Sequence, residues 1–488
     1  MIVAELPEQQ YSVAVIGTGF GSLFFTHRLL QRRPDAQVVM LERGSFRSWD
    51  VQIAEGHNSS IPARDTFKTE GAKKKWNFTI AYGGGTNCWG GATPRMHPND
   101  FCLKSRYGRG QDWPITYNDL EPYYAMAETI MDISGPADLA LVTPRSGPYP
   151  QPPHRLSAAD RVMKAAQPDL HFAMATARAR VANAQRGQCC ASFRCDLCPT
   201  DAKFTALNGF AHITDHPNVH ILCDAEVREI ETSGGTSISA VRYKHAGRDR
   251  RIRCDVCVLG ANAIHSSAIL LQSGLSHPLL GRGLNEQLGY GVEVFLNGLD
   301  NLDGSTKRTG LNYSLYDGPF RAEHGAAFIQ FENQFPYGLR PEFGRWSQIV
   351  SVKVSVEEEL RDDNYVAVDK NGDTTVHFAG RSPYGKLAVE RSLEQLPKVL
   401  APLPVEEIVV KESWALMSRD SLSHLQGTLR MGSTRVDSVV DRTQAHHDLR
   451  NLIVVGTSVM PSCPPVEPSL TAAALSLRAA DLAFGKGG

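Results

Sequence analysis

The tightest constraint on this chain lies in SVAVIGTGFGS, residues 12–22. An apolar run stops at three closely spaced glycines and passes directly into FFTHRLLQRRP, a sequence with helical spacing. That order predicts a buried strand, a tight turn and a helix. Gly17 permits the turn, Gly19 leaves room for a pyrophosphate against the backbone, and the helix start turns its free N–H groups towards the negative charge. Ser22 takes the place of the usual third glycine and is small enough for close packing. A second apolar strand, AQVVMLERG at residues 36–44, carries Glu42 near its end, where a carboxylate can accept both hydroxyls of a ribose. A glycine run alone is weak evidence, and a βα turn with a surface glutamate is the bland alternative. Strand, turn, helix, strand and acid in this order point to a dinucleotide, without separating flavin from nicotinamide.

Length and charge bound the rest. A chain of 488 residues can bury more than one core. Its formal net charge of −1, with 21% charged residues, gives no reason to expect nucleic acid as a partner. No apolar run reaches the roughly 18 residues of a membrane span. The start, MIVAELPEQQ, lacks a basic stretch followed by an apolar one, so a cytoplasmic protein without membrane association is expected.

Along the chain, residues 45–110 read as an extended segment over a ligand, and 120–133 as a helix. Residues 136–215 form a helical and loop excursion that includes a cysteine cluster. Alternating strands and a final strand ending in glycine, within 216–289, return to the nucleotide fold. Residues 290–410 carry alternating segments such as GAAFIQFEN, SQIVSVKVSV and NYVAVDKNGDTTVHFAG, which predict an antiparallel sheet in a separate substrate domain. Residues 411–488 come back to a strand, NLIVV, and a terminal helix.

GGGTNCWGGATPR at 83–95, WPITYNDLEPYY at 113–124, HLQGTLRMG at 424–432 and NLIVVGTSVMPSCPPVEPSLTAAALSLRAAD at 451–481 resemble the glucose–methanol–choline (GMC) oxidoreductases. ATPR and HLQGTLRMG favour the pyranose 2-oxidase and sugar dehydrogenase branch. The resemblance covers most of the chain, strongest at 11–44, 82–124 and 424–481 and weak at 290–410. It implies an α/β fold: a Rossmann-like FAD-binding domain built from 1–135, 216–289 and 411–488, with an α+β substrate domain at 290–410 on an antiparallel sheet. It implies FAD as cofactor and oxidation of a sugar or glycoside alcohol to an aldehyde or ketone by hydride transfer to flavin N5. The electron acceptor, oxygen or another oxidant, stays open, as does the oligomeric state.

The FAD contacts expected near the first turn are Gly17, Gly19, Phe20, Gly21, Ser22, Glu42 and Arg43. Those expected around the flavin are Gly84, Asn87, Cys88, Trp89, Gly90, Val227, Gly456, Thr457 and Ser469. Cys88 falls where pyranose 2-oxidases carry the histidine that tethers their flavin, so a histidyl link is impossible here and dissociable FAD is expected.

Oxidising an alcohol needs a base for the hydroxyl proton, and histidine suits that task. His424 matches the family's active-site histidine; a packing histidine is the alternative role. Glu467 stands where pyranose oxidases have asparagine. It could orient His424, accept a hydrogen bond from the substrate, or pair with a substrate ammonium, because an unpaired buried charge is costly. The last option points to an amino sugar, such as a 6′-hydroxyl in the aminoglycoside biosynthesis that related enzymes serve. A glutamate neutralised by protonation, or paired with a nearby arginine, competes with it. The alternatives are a neutral sugar oxidised at C2 or C3, a flavin-dependent isomerase or lyase, and a non-catalytic flavin-binding module. Tyr82, Arg95 and Trp414 are either substrate contacts or ordinary core or surface groups. His446 and His447 are expected on a solvated face.

Ten cysteines are spread unevenly. Cys254 and Cys257 sit in what reads as a buried strand, as small hydrophobes. Cys189, Cys190, Cys195 and Cys198 could hold zinc, but their spacing lacks paired CxxC units, so a structural loop without metal is expected.

Overall fold

The computed structural model describes residues 1–7, 10–72, 74–413 and 423–485. Its largest sheet has eight strands. In space they run Ile2–Val3, Val219–Leu222, Val38–Leu41, Gln10–Ile16, Arg248–Leu259, Ser237–His245 and Ala225–Ser233, with Leu452–Val454 alongside the second half of Arg248–Leu259. The central pairings are parallel, with Val13 opposite Val38 on one side and Val256 on the other. Strands buried on both faces need continuous apolar runs rather than alternation. VVML at 38–41 is such a run, with all four side chains buried. Cys254 and Cys257 are buried on Arg248–Leu259.

Chain order reverses beside Gln10–Ile16: the next strand lies to one side and Arg248–Leu259 to the other. The crevice beyond the carboxyl ends at such a reversal is the natural ligand site of an open α/β sheet. Gly17 and Gly260 meet there. Gly17 has φ +88°, and a Cβ on it would lie 2.7 Å from the Gly260 carbonyl oxygen. The helix Phe20–Arg32 then leaves the turn and packs against the terminal helix Ser469–Phe484. Phe24, Phe25 and Leu29 are fully buried, each contributing roughly 1.5–3 kcal/mol by burial, with Phe25 against Phe484 of the terminal helix. Asp481 accepts from Arg28 (2.6 Å) and Arg32 (2.7 Å), tying the two ends of the sequence together.

A second, six-stranded sheet is antiparallel throughout: Val405–Ser413, Leu288–Leu296, Ile349–Val356, Ala327–Glu332, Arg308–Asn312 and His171–Ala173. Alternation decides its two faces. In IVSVKVSV the valines 350, 352, 354 and 356 join a core with Ala388, Val389 and Leu396 of the helix Pro383–Val399. Lys353 points to the opposite face.

Some expectations need correction, and one open alternative is decided. NYVAV and TTVHF do not extend this sheet. Tyr365–Val368 and Thr374–Phe378 form a separate three-stranded sheet, because Thr374–Phe378 pairs in parallel with Lys68–Gly71. The six-stranded sheet instead recruits His171–Ala173, far upstream. His446 is not solvated: it is buried, and its Nδ1 accepts from the backbone of Asp448 and Leu449, capping a turn. Tyr82 and Arg95 are core groups; Arg95 donates to Glu128 (2.8 and 2.9 Å) and Glu121 (3.0 Å). Trp414 lies outside the described residues.

In the cysteine loop, Trp49 donates to the Cys198 carbonyl at 2.9 Å, and Arg178 Nη1 lies 3.7 Å from Cys195 Sγ. Among the described residues no group of three or more His, Cys, Asp or Glu side chains is placed to hold a metal ion. No described helix is long and apolar enough to cross a membrane.

Candidate active site

A cavity of about 800 Å³ runs from Glu42 and Arg43 to His424 and Glu467, and so joins the eight-stranded sheet to the inner face of the six-stranded one. Cofactor and small-molecule sites span about 300–1,000 Å³.

The glycine turn forms one end. Thr18, between the first two glycines, braces it: its hydroxyl donates to Glu42 Oε2 (2.7 Å) and accepts from Gly83 N–H (3.1 Å). Glu42 also accepts from Thr18 N–H (3.1 Å) and Gly44 N–H (2.9 Å). Burial pushes the Glu42 carboxyl above its ordinary range against these bonds, so a further hydroxyl donor, such as a ribose supplies, would favour the charged form. A Cβ on Gly19 would project into open space within the cavity wall, whereas one on Gly21 would strike the Gly456 backbone at 2.6 Å. The first absence leaves room for a ligand; the second lets the C-terminal segment close on the turn.

Two long helices, Phe20–Arg32 and Ser469–Phe484, begin at this cavity without a side-chain cap. Their free N–H groups and dipoles favour negative charge at both places. Two uncapped starts, an open glycine face and a ribose-competent carboxylate fit a flavin dinucleotide.

Of the residues expected to touch FAD, Gly17, Gly19, Phe20, Gly21, Glu42 and Arg43 line this cavity, as do Gly84, Cys88, Trp89, Gly90, Val227, Gly456, Thr457 and Ser469. Two do not. Ser22 faces away from the cavity; a Cβ on Gly260 would meet its hydroxyl at 2.2 Å. Asn87 sits behind the wall, where its side-chain amide donates to the Tyr82 carbonyl (2.7 Å) and its backbone carbonyl accepts from Lys203 (2.6 Å). Both residues are buried behind the glycine turns, Ser22 against Gly260 and Asn87 on the Tyr82 carbonyl.

His424 and Glu467 line the other end together with Arg308, Lys353 and Ser423. Burial pulls the His424 imidazole down to about 4, with Glu467 opposing that shift and Lys353 adding to it. The ring is therefore neutral at pH 7 and competent to accept a proton. Glu467 Oε1 accepts from Arg308 Nη1 at 2.8 Å, and Arg308 Nε reaches Glu332 at 2.9 Å. Burial opposes ionisation of Glu467, but Arg308 and Lys353 outweigh it and hold the carboxyl below its ordinary value. Burial also pulls Lys353 down to about 8. The charge of Glu467 thus already has cationic partners in the protein, which removes the argument that an unpaired carboxylate demands a substrate ammonium. Its second oxygen, Oε2, is buried without a hydrogen-bond partner.

Thr18, Arg308 and Lys353 were not singled out from the sequence. A lone lysine in IVSVKVSV was the available signal, since a charge in an apolar strand must face something polar. Arg308 carried no local signal.

The sequence pattern of the GMC oxidoreductases matches residues 145–289 and 384–476. The chain is 26% identical to the fructose dehydrogenase large subunit of Gluconobacter japonicus over 96% of this chain and 97% of that one. It is 29% identical to the 6'''-hydroxyparomomycin C oxidase of Streptomyces lividus over 96% of this chain and 91% of that one. The crystal structure of pyridoxine 4-oxidase from Mesorbium loti superposes with a TM-score of 0.70 at 17% identity, covering 98% of this chain and all of that one.

Proposed function

The chain belongs to the GMC oxidoreductases, enzymes that oxidise alcohols with FAD, and we propose that within them it oxidises a hydroxyl of a sugar or glycoside, with His424 as the base. FAD, which Gly17, Gly19, Glu42, Gly84, Cys88 and Gly90 would hold, would supply the acceptor for the carbinol hydride. His424 takes the hydroxyl proton on its Nε2. Glu467 Oε2 accepts a hydrogen bond from a second hydroxyl, while Arg308 and Lys353 donate to substrate oxygens. Donors and acceptors mixed on one wall suit a polyhydroxylated molecule.

The observation that carries this reading is the orphan oxygen of Glu467 beside a neutral histidine. A carboxylate oxygen without a partner in a buried site costs free energy unless a ligand supplies a donor. Because Oε1 is already charge-paired with Arg308, a neutral hydroxyl suffices. An amino sugar is the second reading, supported by the same orphan oxygen and by likeness to an aminoglycoside oxidase.

Anaerobic bleaching of the flavin band by fructose, glucose, glucosamine and paromamine tests both. Bleaching by the neutral sugars supports the first reading. Bleaching confined to the amines supports the second, and no bleaching by any of the four removes both. Turnover requires an electron acceptor, and peroxide yield compared with dye reduction separates oxygen from another oxidant.

A further inference from the structure

The reading of His424 as base leaves open which ring nitrogen is bare, and a buried amide answers it. His424 Nδ1 lies 3.0 Å from Gln287 Oε1. The other end of that amide, Nε2, lies 2.9 Å from the Pro464 carbonyl and 2.7 Å from the Val466 carbonyl. Two carbonyl oxygens can be satisfied only by N–H donors, so the NH₂ group must face them and the amide oxygen must face the ring. An oxygen facing Nδ1 requires Nδ1 to carry the proton. Nε2 is then the nitrogen with the free lone pair, and among the described residues no side chain or backbone group is hydrogen-bonded to it.

Gln287 is 1% exposed and immediately precedes the strand Leu288–Leu296, so it is anchored in the six-stranded sheet. Prolines 464, 465 and 468 have no N–H with which to build a ladder of their own. The Gln287 amide therefore fastens the segment that carries Glu467. We infer that Gln287 is a positioning residue that locks His424 in the Nδ1–H tautomer and, through the same amide, fixes the Glu467 segment against it. This inference rests on the proposed role of His424.

The groups facing His424 come from several elements: Glu467, Lys353, Arg308 and Glu286. Glu286 is itself paired with Lys74 and lies 3.9 Å from Arg381. None of them is hydrogen-bonded to Nδ1, so the tautomer lock falls to Gln287.

The test is a four-member cycle on the FAD-loaded enzyme: wild type, Gln287→Met, His424→Gln and the double variant, read as single-turnover flavin reduction. Gln287→Met keeps the size of the side chain and removes the amide. The expected result is a loss of about 10- to 100-fold in reduction rate in the wild-type background, comparable to the removal of other orienting partners of histidine, and a clearly smaller loss in the His424→Gln background, where only the hold on the Glu467 segment remains to be lost. Equal losses in both backgrounds would mean a structural role only and would overturn the inference. So would an unchanged rate in Gln287→Met when His424→Gln is inactive. An active His424→Gln would instead sink the base assignment on which the inference rests. If Gln287→Met fails to load FAD, the wild-type holoenzyme decides: the ¹⁵N-histidine signal missing from His424→Gln must show a protonated Nδ1 and a bare Nε2, and the opposite tautomer would refute the lock.

Discussion

Replacing Arg308 by methionine isolates the buried charge pairing at the candidate active site. Arg308 bridges Glu467 and Glu332, its side chain is 14% exposed, and those of the two carboxylates are 7% and 8% exposed. Removing one member of a buried ion pair costs about 3–5 kcal/mol, because the remaining charge keeps its desolvation penalty. Lys353 stays close and offsets part of that, so the lower end, about 3 kcal/mol, applies. At about 2 °C per kcal/mol for a large domain, the thermal midpoint falls by roughly 6 °C near pH 8. The pH dependence distinguishes this from lost packing. Without Arg308, both carboxyls rise in pKa relative to the intact protein, where Arg308 holds them below their ordinary values. A depressed carboxyl contributes stability above its unfolded pKa and loses it as pH falls through the folded one. The gap between wild type and variant is therefore full at pH 8 and narrows below about pH 5 as the variant's carboxyls protonate. Differential scanning fluorimetry with saturating FAD at about pH 4 and pH 8 measures it. A gap of the same size at both values would refute the electrostatic account and leave only the loss of side-chain volume.

Three further outcomes follow from the geometry. His424→Gln retains FAD absorbance but reduces it anaerobically about 10²- to 10⁴-fold more slowly; in the wild type the acid limb of kcat/KM lies near pH 4, because a base lowered to about 4 loses activity only as pH falls through that value. Glu42→Gln cannot accept all three donors that Glu42 holds, so FAD titration of the apoprotein by fluorescence should show about 10- to 100-fold weaker binding, the equivalent of one charged hydrogen bond. Gly21→Ala places a Cβ 2.6 Å from the Gly456 backbone, which should lower stability by about 1–3 kcal/mol and speed FAD loss on dilution; an unchanged midpoint would show that the C-terminal segment yields freely.

Much of the nucleotide end was legible because its determinants are local. The turn, the helix after it and the acid at the end of the next strand all lie between Gly17 and Glu42, and each has a mechanism readable from spacing. Family motifs brought His424 and Glu467 into view by resemblance. Ser22 and Asn87 show the limit of that reading: adjacency to a cofactor turn does not say whether a side chain faces the ligand or the backbone behind it. His446 shows another, since a polar loop can still be buried when its ring caps backbone N–H groups.

The sequence alone determined the strand–turn–helix that receives a dinucleotide, the return of the chain to that fold at its end, and an antiparallel sheet between them, because periodicity and turn chemistry act over a few residues. Only the tertiary structure decided the charge state of the candidate active site. Glu467 is paired with a residue 159 positions away and His424 is hydrogen-bonded to one 137 positions away. No local pattern records which side chains a folded sheet brings face to face, yet in a buried site those partners fix which groups are charged and which nitrogen carries the proton.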